Sequence, residues 1–206
     1  MALKQASCRQ CRREGEKLFL KGERCHSQKC ALVKKSYPPG LHGNRRTKLS
    51  NYAIQLREKQ KTKRIYGMRE SQFFKYYTIA AKKKGVTGIV LLQLLETRLD
   101  NVVYRLGWAA SRKLARQIVS HGHITVNGKK VDIPSYQCEI GEIIAVKENA
   151  KEKTYFKEIL SLHDYKTPVW LKSNASAMSG EVVAMPTKDD LDLDINEQLI
   201  IEFYSR

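Results

Sequence analysis

Apolar positions recur at spacings of three and four through Leu91, Leu94, Leu95, Leu99, Val102, Val103 and Leu106. This is the stripe of an amphipathic helix, ended by Gly107. A second helix is predicted after Ser111, whose hydroxyl suits an N-cap, with Leu114, Ala115, Ile118 and Val119 as its apolar face and Gly122 as its stop. The period then shifts from helical to alternating. Ile124 and Val126 flank Thr125, Asn127-Gly128 follows, and Lys129-Lys130-Val131 continues the chain. Asn-Gly between such runs predicts a tight hairpin, because both residues tolerate positive φ. Glu142–Val146 predicts a further strand, and residues 155–187 predict short strands and loops.

Upstream, Ser50 or Asn51 can cap a helix with Tyr52, Ile54 and Leu56 as apolar positions. Glu70–Ala81 predicts another, closed by Lys82-Lys83-Lys84-Gly85, with cations at the negative helix end and a glycine stop. Ile195–Tyr204 predicts a short last element with an apolar face. Residues 1–49 carry no sustained period and end in the turn-rich run Tyr37-Pro38-Pro39-Gly40. Such a segment buries little apolar surface and needs a staple or a partner.

A candidate staple lies within it. Cys8 and Cys11 form a C-x-x-C pair; thirteen residues intervene before Cys25 and four more before Cys30. Two close pairs joined by a short loop can set four sulfurs at tetrahedral corners, the closed arrangement of structural zinc. Nearby Arg9, Arg12, Arg13 and Lys29 favour the thiolate form. Zn²⁺ leads, and an iron–sulfur cluster is the alternative, since it also takes four cysteines. Disulfides do not suit a cytoplasmic protein, and a thioredoxin-like pair lacks its βαβ context. Cys138 reads as a small buried hydrophobe.

Charge changes the picture most. The 206 residues carry 38 Lys and Arg against 21 Asp and Glu, a net +17 with a pI near 9.7. Residues 1–64 hold 18 cations against 4 anions, whereas residues 151–206 hold 7 against 10. So uneven a distribution is the footprint of a nucleic-acid binder. No apolar run approaches a membrane span. The start, Met1-Ala2-Leu3-Lys4-Gln5, lacks the apolar run of a secretory signal. The expectation is a soluble, cytoplasmic protein.

Residues 94–131 therefore combine two helices and a hairpin with phosphate and base-edge donors. Arg112 and Arg116 lie one turn apart, as do Lys113 and Gln117, all away from the apolar face. Ser111 and the first-turn amides can receive a phosphate oxygen. His121, His123, Asn127 and Lys129 extend the set into the hairpin.

Arg98-Leu99-Asp100-Asn101-Val102-Val103-Tyr104-Arg105-Leu106-Gly107, Ser111-Arg112, Ala115-Arg116-Gln117, His121-Gly122-His123-Ile124 and Val126-Asn127-Gly128 closely resemble the RNA-binding motif named after ribosomal protein S-four. Tyr37-Pro38-Pro39-Gly40, Leu56–Lys61, Pro168-Val169-Trp170-Leu171 and Ile201–Arg206 resemble other parts of its bacterial form, in order. The resemblance implies an α+β fold: a mostly helical domain interrupted by an inserted α+β RNA-binding domain, after a metal-stapled N-terminal segment. The expected limits are 1–49 for the cysteine-rich segment and linker, 50–93 plus 188–206 for the helical domain, and 94–187 for the insert. It implies binding to the 5′ domain of small-subunit ribosomal RNA, early assembly, and a role in accuracy with the S-five protein. Further candidate RNA contacts are Arg12, Arg13, Lys34, Lys35, Arg45, Arg46 and Lys48, then Lys59, Lys61, Lys63 and Arg64, then Arg98 and Arg105 of the motif.

Two other functions compete. Arg98-Leu99-Asp100 echoes the catalytic triplet of pseudouridine synthases, but Thr97 replaces its glycine and no separate catalytic domain fits. A zinc-dependent DNA-binding regulator would need paired histidines or a dimer face, and neither is evident.

Overall fold

The computed structural model describes residues 6–45, 48–156, 167–190 and 194–205. The chain divides into two compact units, Met1–Lys75 with Ile195–Arg206, and Tyr76–Asp194. The second unit thus begins earlier than the expected insert at 94, and the cysteine-rich segment groups with the helices that follow it.

In the first unit, α1 (Ser7–Glu14), a 3₁₀ turn (Gly22–Cys25) and the one-turn α2 (Ala31–Lys34) order the segment expected to lack helical period. Gly15 ends α1 in the left-handed conformation, its N–H donating to the Cys11 carbonyl. The helix α3 spans Asn51–Ile65, and the Ser50 hydroxyl accepts from the Ala53 N–H as its cap. Tyr52 and Ile54, expected as its apolar face, are exposed; the buried positions are Gln55, Lys59, Lys61, Thr62 and Ile65. The face of α3 that packs is thus largely polar, and its partners are charged. Glu14 pairs with Arg57 and Arg64, Glu70 with Lys59 and Lys63 at 2.6 Å each, and Lys61 with Glu58 and Glu16. The helix α4 spans Glu70–Lys82, its first six residues belonging to this unit and the rest, from Tyr76, to the second. The last helix, α9 (Glu197–Tyr204), is capped by the Asn196 side chain and packs on α3, where Gln55 donates to Glu202 at 2.9 Å.

The second unit is built from α5 (Thr87–Glu96), α6 (Leu99–Arg105), α7 (Arg112–Ser120), the short α8 (Glu148–Lys151) and a five-stranded antiparallel sheet. Its strands are β1 (Ile124–Val126), β2 (Lys129–Lys130), β3 (Ile143–Val146), β4 (Leu171–Asn174) and β5 (Ser179–Val182), in the order β2-β1-β3-β5-β4. The β1–β2 hairpin turns at Asn127 and Gly128, with φ of 48° and 77°. These are the two positive angles of a type I′ turn. One sheet face, through Ile124, Val126, Ile144, Val146 and Val182, packs against Leu99, Val102, Val103, Leu106, Ala115, Ile118 and Val119 of α6 and α7. Cys138 is buried in the same core, and burial pushes its thiol pKa up.

The leucine stripe is not one helix. It breaks at Thr97-Arg98, where Arg98 forms an isolated antiparallel bridge with Gln137. Leu99 N–H donates to the Tyr136 carbonyl, Cys138 N–H to the Thr97 carbonyl, and Arg98 takes extended angles as the cap of α6. The break is made by a segment some forty residues away, so local periodicity carries no trace of it.

Candidate nucleic-acid interface

The interface candidate is α7 with the β1–β2 hairpin. The Ser111 hydroxyl accepts from the Leu114 N–H at 3.3 Å, so the serine caps the helix as expected. The helix buries Ala115, Ile118 and Val119 and exposes Lys113 and Gln117, with Arg116 partly exposed beside them. His121 follows exposed, and Gly122 makes the turn at φ 70°. There an added Cβ would meet the Lys130 side chain. Asn127, Lys129 and Lys130 are exposed at the hairpin. Asn127 is also structural: its Oδ1 accepts from the Ile143 N–H at 2.9 Å.

His123 is half-buried, edge-on to His121 and Phe156, with Lys153 Nζ 3.2 Å from its Nε2. Burial, then the charges of Lys153, His121 and Lys147, hold its pKa below the usual histidine value. Lys147 and Lys153 were not among the expected contacts. They come from the segment after β3, and only the fold brings them to the hairpin.

Beneath α7 lies an ionic lattice. Arg98 is wholly buried; its guanidinium donates to both oxygens of Asp100, at 3.0 and 2.7 Å, and to the Tyr76 hydroxyl at 3.0 Å. Arg105, 1% exposed, donates twice to Glu96, at 2.8 and 3.1 Å, and the Asn101 amide adds a bond to the same carboxylate at 2.9 Å. Desolvation disfavours the charged form of Arg98, but the bond and charge of Asp100 outweigh it and raise its pKa. Arg98 and Arg105, expected as RNA contacts, are therefore corrected: they are interior ion-pair partners. Arg98, the cap of α6, turns toward Asp100 on that helix, and Arg105 of α6 turns toward Glu96 at the end of α5; buried charges persist only when so paired.

Arg112 is also turned inward. Its Nε donates to Asn101 Oδ1 at 2.7 Å, its guanidinium lies 4.4 Å from the Tyr104 ring centre, and its side chain is 10% exposed. Arg116, with 41% of its side chain exposed, lies 3.7 Å from Asp100.

In the first unit, Arg13, Lys34, Lys35, Arg45 and Lys48 are exposed. Arg46 lies outside the described residues. Arg12 is half-buried, donating to the Tyr37 and Pro38 carbonyls at 3.0 and 3.3 Å and stacking on the Tyr37 ring. It pins the turn-rich run instead of projecting outward. Lys59 and Lys61 are buried in ion pairs, and Lys63 and Arg64 are partly buried in theirs. The dense basic stretch is therefore largely spent on Glu14, Glu16, Glu58 and Glu70.

Cys8, Cys11, Cys25 and Cys30 are free thiols that line one pocket, with Leu20 and Lys21 beside them. Burial, opposed by the Leu18 backbone bond and joined by the nearness of Cys25, Cys8 and Cys30, raises the Cys11 pKa. The Lys21 N–H donates to Cys25 Sγ at 3.3 Å. Four thiols with backbone N–H donors suit a thiolate-bound metal in donor type. Among the described residues, however, no group of three or more His, Cys, Asp or Glu is arranged to hold an ion.

The family description "Ribosomal protein S4/S9 N-terminal domain" matches residues 2–96, and "S4 domain" matches residues 97–144. The chain is 57% identical over 202 residues to the small ribosomal subunit protein uS4A of Alkaliphilus oremlandii, covering 98% of each chain. It is 57% identical to uS4 of Acetivibrio thermocellus over 205 residues, covering 98% of this chain and 97% of that one, and 56% identical to uS4 of Clostridioides difficile over 201, covering 98% and 97%. The chain belongs to the uS4 family of small ribosomal subunit proteins.

The boundary between the two matched regions, 96/97, falls at the break between α5 and α6. Membership in the uS4 family sets the pseudouridine synthase alternative aside. It also fits the geometry of Asp100, which both Arg98 bonds hold in place as an ion-pair partner. No described helix of this uS4 chain is long and apolar enough to cross a membrane.

Proposed function

We infer that this uS4-family chain is a structural RNA-binding protein of the cytoplasmic small ribosomal subunit. It binds the 5′ domain of 16S-type ribosomal RNA as a primary binder and nucleates assembly. One observation carries this reading: α7 and the hairpin of the S4 domain present Lys113, Arg116, Gln117, His121, Asn127 and Lys129 together, on a scaffold fixed by a buried core. The net charge of +17 supplies the non-specific phosphate attraction on which such recognition builds. The test is comigration of the protein with small subunits after a high-salt wash, alongside affinity for 5′-domain RNA and duplex DNA at stated salt. Equal affinity for both would overturn it.

Contact with the S-five protein and a part in translational accuracy belong to the same reading. The support is an exposed aromatic of the first unit, Tyr52 of α3, whose ring lies 5.6 Å from that of Phe203 on α9; aromatic side chains at a surface are enriched at protein contacts. Loss of crosslinking to the S-five protein in Tyr52→Ser is the expected result, and unchanged crosslinking refutes it.

Cys8, Cys11, Cys25 and Cys30 are the residues to hold a structural Zn²⁺. Their common pocket and the Lys21 N–H bond support this. A chelator is expected to release one zinc per chain and speed amide exchange in residues 6–35. Unchanged exchange refutes the metal staple, and iron with visible absorbance would replace zinc by a cluster.

A further inference from the structure

The lattice under α7 holds four arginines against two carboxylates. Each carboxylate already has a close partner: Arg105 at 2.8 Å for Glu96, and Arg98 at 2.7 Å for Asp100. The α7 arginines stand further off, Arg112 at 3.9 Å from Glu96 and Arg116 at 3.7 Å from Asp100. The inner pairs fix the carboxylates, and the outer pairs are charge tethers. The two tethered arginines differ in exposure. Arg112 is sealed against Asn101 and the Tyr104 ring, whereas Arg116 is 41% exposed.

We propose that Asp100 is a positioning residue for RNA: held by Arg98, it orients the Arg116 guanidinium toward a phosphate, while Arg112 latches α7 to α6. The inference rests on the RNA-binding reading above. An arginine on a helix surface loses rotamer freedom when a phosphate fixes it, and a prior tether removes part of that loss. A guanidinium has five donors in a planar fork, so one edge can face Asp100 while another meets a phosphate. Asp100 does not cancel the charge of Arg116, because Arg98 already opposes it; the group of three keeps a net positive charge. The Tyr76 hydroxyl, which accepts from Arg98 at 3.0 Å and from the Gln137 amide at 3.2 Å, holds the lattice from behind.

The experiment is a double-mutant cycle on the full-length protein, read as affinity for a 5′-domain RNA transcript across a salt series. Arg116→Ala is expected to weaken binding on the order of 5- to 10-fold and to lower the salt slope by about one. Asp100→Asn is expected to weaken binding by a similar factor with the slope unchanged. The double variant should bind within about 2-fold of Arg116→Ala, because Asp100 acts only through that side chain. Effects that multiply, or wild-type affinity in Asp100→Asn, overturn the proposal. If Asp100→Asn unfolds, shown by loss of the near-ultraviolet signal of buried Trp108 and Trp170, then Arg116→Lys decides. It keeps the charge and the slope but lacks the fork, so about 5-fold weaker binding is expected; wild-type affinity overturns the proposal. Failure of the wild-type protein to bind the transcript overturns the RNA reading and this inference together. Binding without coupling overturns this inference alone.

Discussion

Residues Tyr76–Asp194 bury a continuous apolar core from Leu99 to Val182, and their interior charges, Arg98–Asp100 and Arg105–Glu96, are shielded on both sides. Met1–Lys75 with Ile195–Arg206 has fewer buried apolar residues, among them Leu18, Ile65, Phe73, Ile195 and Ile200. Its α3 buries Lys59 and Lys61 against Glu70 and Glu16, which are each about half exposed. The first arrangement is insensitive to salt, because the pairs are desolvated; the second is screened and titrates with the solvent. One unit uses charge to order a surface from within, and the other uses it alongside a smaller apolar core.

The largest expected effect comes from breaking an enclosed pair. Glu96→Ala leaves Arg105 buried without its carboxylate and should cost about 3–5 kcal/mol. Urea unfolding of the intact protein, followed by tryptophan fluorescence from Trp108 and Trp170, measures it. A loss below about 1 kcal/mol would show the pair is hydrated. Leu99→Ala, at a wholly buried site in the apolar cluster, should cost about 2–5 kcal/mol by the same assay. Gly180→Ala comes next, at about 1–3 kcal/mol, since its Cβ would sit 2.5 Å from Leu106 Cδ2. Shortening Leu106 in that background should return part of the loss.

In the first unit the effects are smaller and depend on the medium. Desolvation would raise the Glu70 pKa, but bonds from Lys59, Lys63 and Tyr204 prevail and lower it from 4.5 to about 2. A depressed carboxylate stabilises the fold above its ordinary pKa, and that contribution is lost as pH falls through the folded value. Glu70→Gln should therefore flatten the acid limb of stability between pH 4.5 and about 2. An unchanged limb in amide exchange of α3 would refute the network. Glu14 acts in the opposite sense: burial raises its pKa despite Arg64 and Arg57, so it favours folding at low pH and less as pH rises past the ordinary value. The smallest change is Lys63→Ala, about 0–1 kcal/mol and weaker still in high salt.

Where a single residue type forces the local geometry, the chain is readable. Ser50 and Ser111 cap their helices, Asn127-Gly128 makes the hairpin, and the period change at Ile124 marks the first strand. The exposed half of the interface, Lys113, Gln117, His121 and Lys129, follows from its place opposite the apolar face of α7 or at the hairpin. Local pattern stops being a guide where charge meets burial. Arg98, Arg105, Lys59 and Lys61 look like phosphate contacts because cations usually lie outside, yet each has a carboxylate partner that permits burial. Asp100, Glu96 and Glu70 lie two, nine and eleven residues from Arg98, Arg105 and Lys59, so no helical spacing announces those pairs; of the four cations Lys61 has a partner, Glu58, three residues away on the same helix.

The sequence by itself determined the class of molecule. An uneven net charge of +17 and an ordered likeness along the chain point to the ribosomal small subunit, and short-range patterns lay out most helices and the hairpin. Only the tertiary structure decided which cations remain available. It broke the leucine stripe at Arg98 with a bridge to Gln137, and it brought Lys147 and Lys153 to the hairpin. It also turned Arg112 inward while leaving Arg116 at the surface. The reason is physical: helix and turn preferences depend on neighbours along the chain, whereas the fate of a charge depends on which opposite charge folding brings within reach.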